Sequence, residues 1–242
     1  MTDSFSLPSR YWRIVDTAAG PRGYVEEDVE HEVGRTALLI VDVYGAGYGD
    51  GPVPPELTGI YEPDPTVAHI IRNLIPPVKA AARARGMDTI YLTNALRPGL
   101  DEGNAWRNLS LRATGVDVLT EWVAPTPILE FSDVVAPDSQ DVVIEKQLYS
   151  GFFETTLDST LRNRGITDLI IVGFDSRICL GTTATDAMFR NYRVTVLRDC
   201  TTTFEFPETA EGGWANFMAI RYFETQVGHT STSDEFLAAV AP

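Results

Sequence analysis

The chain has 242 residues, of which 44% are hydrophobic and 22% are charged, a composition typical of a globular protein with a substantial core. It carries 19 Lys plus Arg against 34 Asp plus Glu, which gives a formal net charge of −15. A surface this acidic repels phosphate backbones and anionic lipid, so we expect no nucleic-acid partner and no membrane partner. The sequence also lacks an apolar run of about 18 residues, the length that crosses a bilayer.

The two cysteines, Cys179 and Cys200, are too few for a disulfide framework. Residues 1–10 are polar and contain no apolar signal core. We therefore expect a cytoplasmic protein in which both thiols are reduced.

Residues 1–35 place aromatic side chains among charges, and we expect them to form an N-terminal arm that packs on the domain or on a partner subunit. Residues 36–242 are more regular and are expected to form one domain. Short apolar runs within it indicate strands buried on both faces, as in a parallel sheet. These runs are Ala37–Val41, Thr89–Leu92, Val142–Ile144, Leu169–Val172 and Val194–Leu197, with Thr225–Val227 as a candidate sixth.

Helical patterns lie between these runs. Pro76 and Pro77 must kink or split the first of them, and Thr232 with Glu235 reads as a capping box for the last. Two long insertions, 44–64 and 97–140, follow strands and should lie over the carboxyl edge of the sheet. The alternation predicts an α/β domain with a mainly parallel sheet of about six strands. The predicted helices are Val67–Arg85, Thr155–Arg164, Ile178–Arg190 and Pro207–Phe223, followed by the capped last one.

Three reactive side chains follow different strands at the edge where open parallel sheets bind ligands. Asp42 ends the first strand, Lys146 the third, and Cys179 follows the turn after the fourth. A thiolate is a nucleophile, a cation or a helix N-terminus lowers its pKa, and a carboxylate can accept its proton. Each residue also has a plain structural interpretation: a buried core thiol, a turn cap and a solvated surface charge.

The motifs Leu39-Ile-Val-Asp42, Lys146 and Gly173-Phe-Asp-Ser-Arg-Ile-Cys179 resemble the isochorismatase-like cysteine hydrolase family over residues 36–240. The segment Lys146–Asp158 is similar to the ureidoacrylate and biuret amidohydrolase branch, as are Leu161–Ile166 and Tyr222–Thr225. The resemblance implies a three-layer αβα sandwich, an isochorismatase-like fold.

The resemblance also implies roles at the site. Cys179 would be the nucleophile, Asp42 the general base and then acid, and Lys146 the group that stabilises the thiolate and the transition state. A cis peptide between Phe174 and Asp175 would aim the backbone N–H of Asp175, with that of Cys179, at the oxyanion. The implied reaction is amide or ureido hydrolysis through a thioester, without cofactor, in a homo-oligomer (a dimer or tetramer).

The chain departs from the family where substrate is expected to bind. Tyr44 stands where relatives usually carry Gln, and Arg177 stands where they commonly carry Asp or Asn. Arg177 is either an anchor for a substrate carboxylate or the partner of a structural acid. Further candidate substrate contacts are Asn94 and Arg97, which follow the second strand, and Tyr149 and Phe152, for which core packing is the alternative.

Other functions are less well supported by the sequence. His31, His69 and His229 form no spaced pair, so we expect no metal site. A catalytically weak binding protein of the same fold is the main alternative, because positions 44 and 177 are altered. A nucleotide-binding protein is a third hypothesis, but Gly45–Gly49 lacks the spacing and the lysine of a phosphate loop.

Overall fold

One mixed sheet of eight strands forms the centre of the part of the chain that the computed structural model describes, residues 3–46, 64–96, 105–115, 117 and 126–241. The strand order across the sheet is β2-β1-β8-β7-β6-β3-β4-β5. The strands are β1 (Ser4–Arg13), β2 (Gly23–Glu32), β3 (Thr36–Val41), β4 (Asp88–Asn94), β5 (Val142–Lys146), β6 (Asp168–Gly173), β7 (Arg193–Leu197) and β8 (His229–Ser231).

The six strands from β8 to β5 are parallel, so the predicted α/β class with a mainly parallel sheet is confirmed. The predicted number of strands is wrong by two, because β1 and β2 add an antiparallel hairpin at one edge. The expected sixth strand at Thr225–Val227 is also wrong. Those residues lie in a π-helical turn, Phe223–Val227, where the Thr225 hydroxyl donates to the Arg221 carbonyl, and the strand begins after Gly228.

The N-terminal arm is this hairpin. Alternate residues of β1 are buried, and β1 joins the sheet where Arg10 pairs with Thr230 of β8. The Arg10 guanidinium lies 2.7 Å from the buried Glu224 carboxylate, and Arg221 stacks over the Trp12 ring at 3.7 Å. The arm therefore packs on its own domain. The sequence does not indicate β2, because this strand is rich in acidic residues, which an exposed edge strand tolerates.

The helices cover both faces of the sheet. The predicted first helix is split: α1 (Pro65–His69) passes through a π-helical turn, Ile70–Leu74, into α2 (Ile75–Ala84), whose first turn contains Pro76 and Pro77. The expected helix from Pro207 begins only at Trp214, because Gly212 and Gly213 take positive φ angles just before it. No helix in the described ranges is long and apolar enough to cross a bilayer. The helices are α1 (Pro65–His69), α2 (Ile75–Ala84), α3 (Ala105–Thr114), α4 (Leu157–Asn163), α5 (Cys179–Phe189), α6 (Trp214–Tyr222) and α7 (Ser233–Ala239).

Two hydrophobic cores lie on opposite faces of the sheet. Alternate residues of β3 point to each, with Leu38 and Ile40 in one core and Leu39 and Val41 in the other. The first core includes residues of α1, α2 and α7, and the second includes residues of α4, α5 and α6. This is the three-layer αβα sandwich that the resemblance implied.

The carboxyl ends of β3 and β6 approach each other unusually closely. A Cβ atom added to Gly173, which has φ +109°, would lie 2.1 Å from the carbonyl oxygen of Val41. The Phe174 N–H donates to that same oxygen at 2.8 Å. Only glycine fits here, and the contact fixes where the chain leaves both strands.

We expect Gly173→Ala to lower the free energy of unfolding by about 3 kcal/mol or more, because the methyl group displaces the end of β3. Gly86→Ala is the matched control: its φ is +83°, but an added Cβ meets nothing within 4 Å. The control should lose only about 1–2 kcal/mol, the cost of the left-handed backbone. Urea denaturation of both variants measures the difference, and equal losses would contradict the close-approach argument.

Candidate active site

The three sequence-selected reactive side chains meet at the carboxyl edge of the sheet. Asp42 directly follows β3, Lys146 is the last residue of β5, and Cys179 is the first residue of α5. Asp42 takes a left-handed backbone with φ 50°, which is uncommon for a residue other than glycine. Such outliers cluster at active sites, where the surrounding contacts hold them in place.

Lys146 is fully buried, with 0% of its surface exposed. Its Nζ atom lies 2.7 Å from Asp42 Oδ2 and donates to Asn94 Oδ1 at 2.6 Å. Burial by itself lowers the pKa of Lys146, but the Asp42 carboxylate and the thiol of Cys179 outweigh it, so that the pKa rises above its ordinary value. Because an ammonium group has three N–H donors, the third is left for Cys179.

The Asp42 carboxylate is held at both oxygens. Oδ2 faces Lys146 and the Asn94 amide nitrogen, the latter at 3.5 Å, and Oδ1 accepts from the Tyr44 hydroxyl at 3.1 Å. The Tyr44 hydroxyl also accepts from the Asn94 backbone N–H at 2.7 Å. Side chains from the ends of three parallel strands thus form one buried hydrogen-bonded network.

The Cys179 thiol completes this group, because the Asp42 carboxylate and the Lys146 ammonium both lie within hydrogen-bonding reach of it. Burial raises the pKa of Cys179 strongly, the Asp42 charge raises it further, and Lys146 only partly offsets both. Without substrate, the thiol is therefore protonated and next to a carboxylate that can accept its proton. The residue as a whole is partly exposed, whereas Asp42 and Lys146 are buried.

The turn between β6 and α5 contains the predicted cis peptide, between Phe174 and Asp175. The Asp175 carbonyl accepts from the N–H groups of Ile178 and Leu180 at 3.0 and 3.1 Å. An added Cβ at Gly181 would lie 2.4 Å from the Ser176 carbonyl oxygen, so the turn requires glycine there. Across the described ranges, the backbone N–H groups of Asp175 and Cys179 have no acceptor.

The Asp175 side chain is bonded to the loop after β7 and to its own turn. Its carboxylate accepts from the Thr203 hydroxyl at 2.6 Å and from the Arg177 backbone N–H at 2.7 Å. Burial raises the pKa of Asp175 despite these bonds. Its charge therefore acts on the loop after β7, and the opposition to the Cys179 thiolate comes from Asp42.

Arg177 is exposed and stacks over two aromatic rings, at 5.3 Å from the centroid of Phe204 and 4.9 Å from that of Phe206. It forms no ion pair with any acid that the structure describes. Glu205 lies close enough for Arg177 to help lower its pKa, but its carboxylate accepts from the N–H groups of Ala215 and Asn216 at the start of α6.

The other candidate substrate contacts differ in position. Tyr149 is partly exposed, and its ring meets that of Trp106 from α3 edge-on at 6.1 Å. Phe152 is instead a core residue, buried against the Tyr192 ring at 5.8 Å, as the core-packing alternative predicts. Arg97 lies outside the described residues.

Asn94 and Tyr44 are at the site, but their polar groups bond to protein. The Asn94 amide oxygen binds Lys146, and the Tyr44 hydroxyl binds Asp42. Sequence reasoning missed Thr93, whose hydroxyl lies 3.2 Å from that of Tyr44, and Thr203. Both are ordinary buried strand-end or loop threonines, and no sequence signal distinguishes them.

Within the described ranges, no group of three histidine, cysteine or acidic side chains lies close enough together to hold a metal ion. His31 lies against Asp168 in the hairpin region, His69 is on α1, and His229 pairs with Glu27. None of the three histidines belongs to the network around Cys179.

Comparison with known proteins agrees with this fold. Residues 36–234 match the isochorismatase domain. The ureidoacrylate amidohydrolase RutB of Variovorax paradoxus strain S110 is 31% identical over 225 residues, which cover 86% of this chain and 82% of that protein. The same-named protein of Enterobacter sp. strain 638 is 30% identical over 224 residues, which cover 86% of this chain and 90% of that protein.

Two solved structures are also similar. A cysteine hydrolase from Pseudomonas syringae pv. phaseolicola 1448A superimposes with a TM-score of 0.72 at 25% identity, covering 87% of this chain and 94% of that one. An N-carbamoylsarcosine amidase from Thermoplasma acidophilum superimposes with a TM-score of 0.59 at 25% identity, covering 83% of this chain and 97% of that one. With most of its length matched by the domain and by these relatives, the chain belongs to the isochorismatase family.

Proposed function

We propose that the protein is a cysteine amidohydrolase that cleaves a C–N bond of a small ureido or amide substrate through a thioester intermediate. The observation that carries the proposal is the buried contact among a thiol, a carboxylate and an ammonium at Cys179, Asp42 and Lys146. Relatives named ureidoacrylate amidohydrolase and N-carbamoylsarcosine amidase support the substrate class.

In the first step Asp42 accepts the thiol proton as Sγ attacks the substrate carbonyl carbon. Thiol and carboxylate become thioether and carboxylic acid, while the carbonyl oxygen takes the negative charge. The free N–H groups of Asp175 and Cys179 are suited to donate to this oxyanion, and Lys146 stabilises the charge nearby.

In the second step Asp42 returns the proton to the leaving nitrogen, the C–N bond breaks, and ammonia or an amine departs from the thioester. Water then gives a proton to Asp42 and attacks the thioester carbonyl. The thiolate leaves and takes that proton back, so the products are an acid, or a carbamic acid, and the amine. Every proton passes through the one carboxylate that contacts both the thiol and the ammonium.

The chemistry needs only protein groups, so we propose a metal-free enzyme without cofactor. We also expect a homo-oligomer, a dimer or tetramer, which acts in the cytosol. The exposed aromatic side chains on and before α6 support association, since Trp214 and Phe206 each leave more than a third of their surface uncovered. Residues 36–242 would form the catalytic domain and residues 1–35 its added arm.

Cys179→Ala is expected to lower the rate of ammonia release from carbamoyl compounds by about 1,000-fold or more, because the attacking sulfur is removed. Cys200→Ala is the matched control, since that thiol is fully buried in the core and outside the network. Mass spectrometry of the wild type during turnover should find an acyl adduct on Cys179. Equal rates for wild type and Cys179→Ala would remove the thiol from the mechanism.

Asp42→Asn should change thiol reactivity and turnover in opposite directions. The carboxylate raises the pKa of Cys179, so its neutral replacement lowers that pKa and should speed alkylation by iodoacetamide at pH 9 at least about tenfold. Hydrolysis should nevertheless fall at least about 100-fold, because the proton acceptor is lost.

Asp88→Asn is the control for this experiment, since Asp88 begins β4 and pairs with Arg164 at the amino end of the sheet. It should change neither rate. Slower alkylation of Asp42→Asn, or unchanged hydrolysis, would contradict the role of Asp42.

The alternative is a binding protein with the same fold that turns substrate over very slowly, and the raised pKa of Cys179 is the observation that favours it. It predicts that a ureido ligand binds equally well to wild type and Cys179→Ala, with no adduct and no ammonia from either. Calorimetric titration beside the ammonia assay separates the two functions.

A further inference from the structure

The hydroxyl of Tyr44 lies inside the catalytic network, away from the surface that a substrate would reach. The residue is 3% exposed. Its ring packs beside that of Phe131, with centroids 6.1 Å apart. Its oxygen lies 3.1 Å from Asp42 Oδ1, 2.7 Å from the Asn94 backbone nitrogen and 3.2 Å from Thr93 Oγ1.

The direction of these bonds follows from counting protons. A tyrosine hydroxyl has one proton to donate and accepts through its lone pairs, and the Asn94 N–H groups can only donate to it. The proton therefore goes to Asp42 or to Thr93. The Thr93 hydroxyl has a second acceptor in the Asn94 carbonyl at 3.4 Å, and a charged acceptor forms the stronger bond. Burial and the Asp42 charge raise the pKa of Tyr44, so it keeps this proton.

The consequence for Asp42 is that both of its oxygens are bound from different strands. Oδ1 is held by Tyr44, which is itself held by the backbone of β4, and Oδ2 is held by Lys146 from β5. A carboxylate bound at one oxygen can rotate about its Cβ–Cγ bond, whereas one bound at both keeps a fixed plane. General-base catalysis depends on that geometry.

We propose that Tyr44 is a positioning residue that fixes the Asp42 carboxylate for proton exchange with the thiol, a role that rests on the proposed function. Tyr44 acts through Asp42 and does not contact substrate, because its hydroxyl is enclosed and its proton is already donated.

Tyr44→Phe removes only this hydroxyl, and Tyr91→Phe is the matched control. Tyr91 is also a fully buried tyrosine beside Phe131, but its hydroxyl donates to the Val135 carbonyl, outside the network. In Tyr44→Phe, we expect kcat to fall about 10- to 100-fold with KM within about twofold, the effect of one hydrogen bond to a charged group. Tyr91→Phe should keep both constants. An unchanged kcat, or a higher KM with the same kcat, would overturn the proposal.

Thiol alkylation tests the same coupling without substrate. The Tyr44 hydroxyl disperses the charge of Asp42, so its loss lets the carboxylate oppose the thiolate more strongly. Alkylation of Cys179 at pH 9 should become about threefold slower in Tyr44→Phe and stay unchanged in Tyr91→Phe. In the Asp42→Asn background, Tyr44→Phe should have no further effect, because the group through which it acts is gone. A full effect in that background would overturn the proposal.

The two readouts separate the two hypotheses. If wild type hydrolyses no ureido or amide substrate, the proposed function fails, and the alkylation cycle still decides whether Tyr44 acts through Asp42. If Tyr44→Phe does not fold, Tyr44→Gln and Tyr44→Met replace it, since they have similar volume and only Gln can donate to Asp42. The Gln variant should then be at least about tenfold faster in kcat, and equal rates would overturn the proposal.

Discussion

The ion pair between Lys146 and Asp42 is the interaction on which the site depends. Burying an ammonium group with no solvent exposure costs free energy unless the group is paired with an opposite charge and hydrogen-bonded. Here the Asp42 and Asn94 oxygens, at 2.7 and 2.6 Å, take two of its three donors. These partners come from β3 and β4, and the lysine comes from β5, so burying the pair also fixes the register of three neighbouring strands at their carboxyl ends. The remaining donor is directed to Cys179, the one partly exposed residue of the group.

The protonated thiol is compatible with nucleophilic catalysis because the first proton transfer leaves the net charge of the buried group unchanged. Before transfer the group holds a neutral thiol, a carboxylate and an ammonium. After transfer it holds a thiolate, a carboxylic acid and the same ammonium. Both states are neutral overall, so no net charge is created in a low-dielectric site. In the proposed reaction, attack on the carbonyl would carry the negative charge onto the substrate oxygen, for which the N–H groups of Asp175 and Cys179, without an acceptor in the described ranges, are suited donors.

Sequence alone located the reactive residues because strand ends in a parallel sheet are fixed by short apolar runs. Asp42, Lys146 and Cys179 each follow such a run, and one rule about carboxyl edges brings them together. What sequence did not reveal depends on long-range contacts. The acidic strand Gly23–Glu32 has no apolar alternation and forms only because Ser4–Arg13 pairs with it.

The same limit applies to the directions of two individual side chains. Tyr44 was expected to face substrate because it replaces an amide, but its direction is set by Asn94, 50 residues further along the chain. Phe152 was expected near the substrate because it follows Lys146, but its ring packs under α5 against Tyr192. Proximity in sequence to a catalytic residue says little about which way a side chain points once the strand has ended.

The loop after β7 has two parts. Its first residues bind the turn before Cys179, and the residues that follow are exposed to solvent. Backbone groups of this loop bind the turn before Cys179, since the carbonyls of Cys200 and Thr202 accept from Gly173 and Ser176 at 2.9 Å each. The Thr203 hydroxyl then donates to the Asp175 carboxylate at 2.6 Å. The next residues leave the core.

Phe204 and Phe206 are exposed at this point and carry the Arg177 guanidinium on their rings. The orientation of the turn before Cys179 therefore depends on buried backbone hydrogen bonds of the loop. Arg177 instead lies on aromatic rings at the exposed end of the loop. Substitutions at Phe204 or Phe206 move a cation at the rim without disturbing the bonds that orient Cys179.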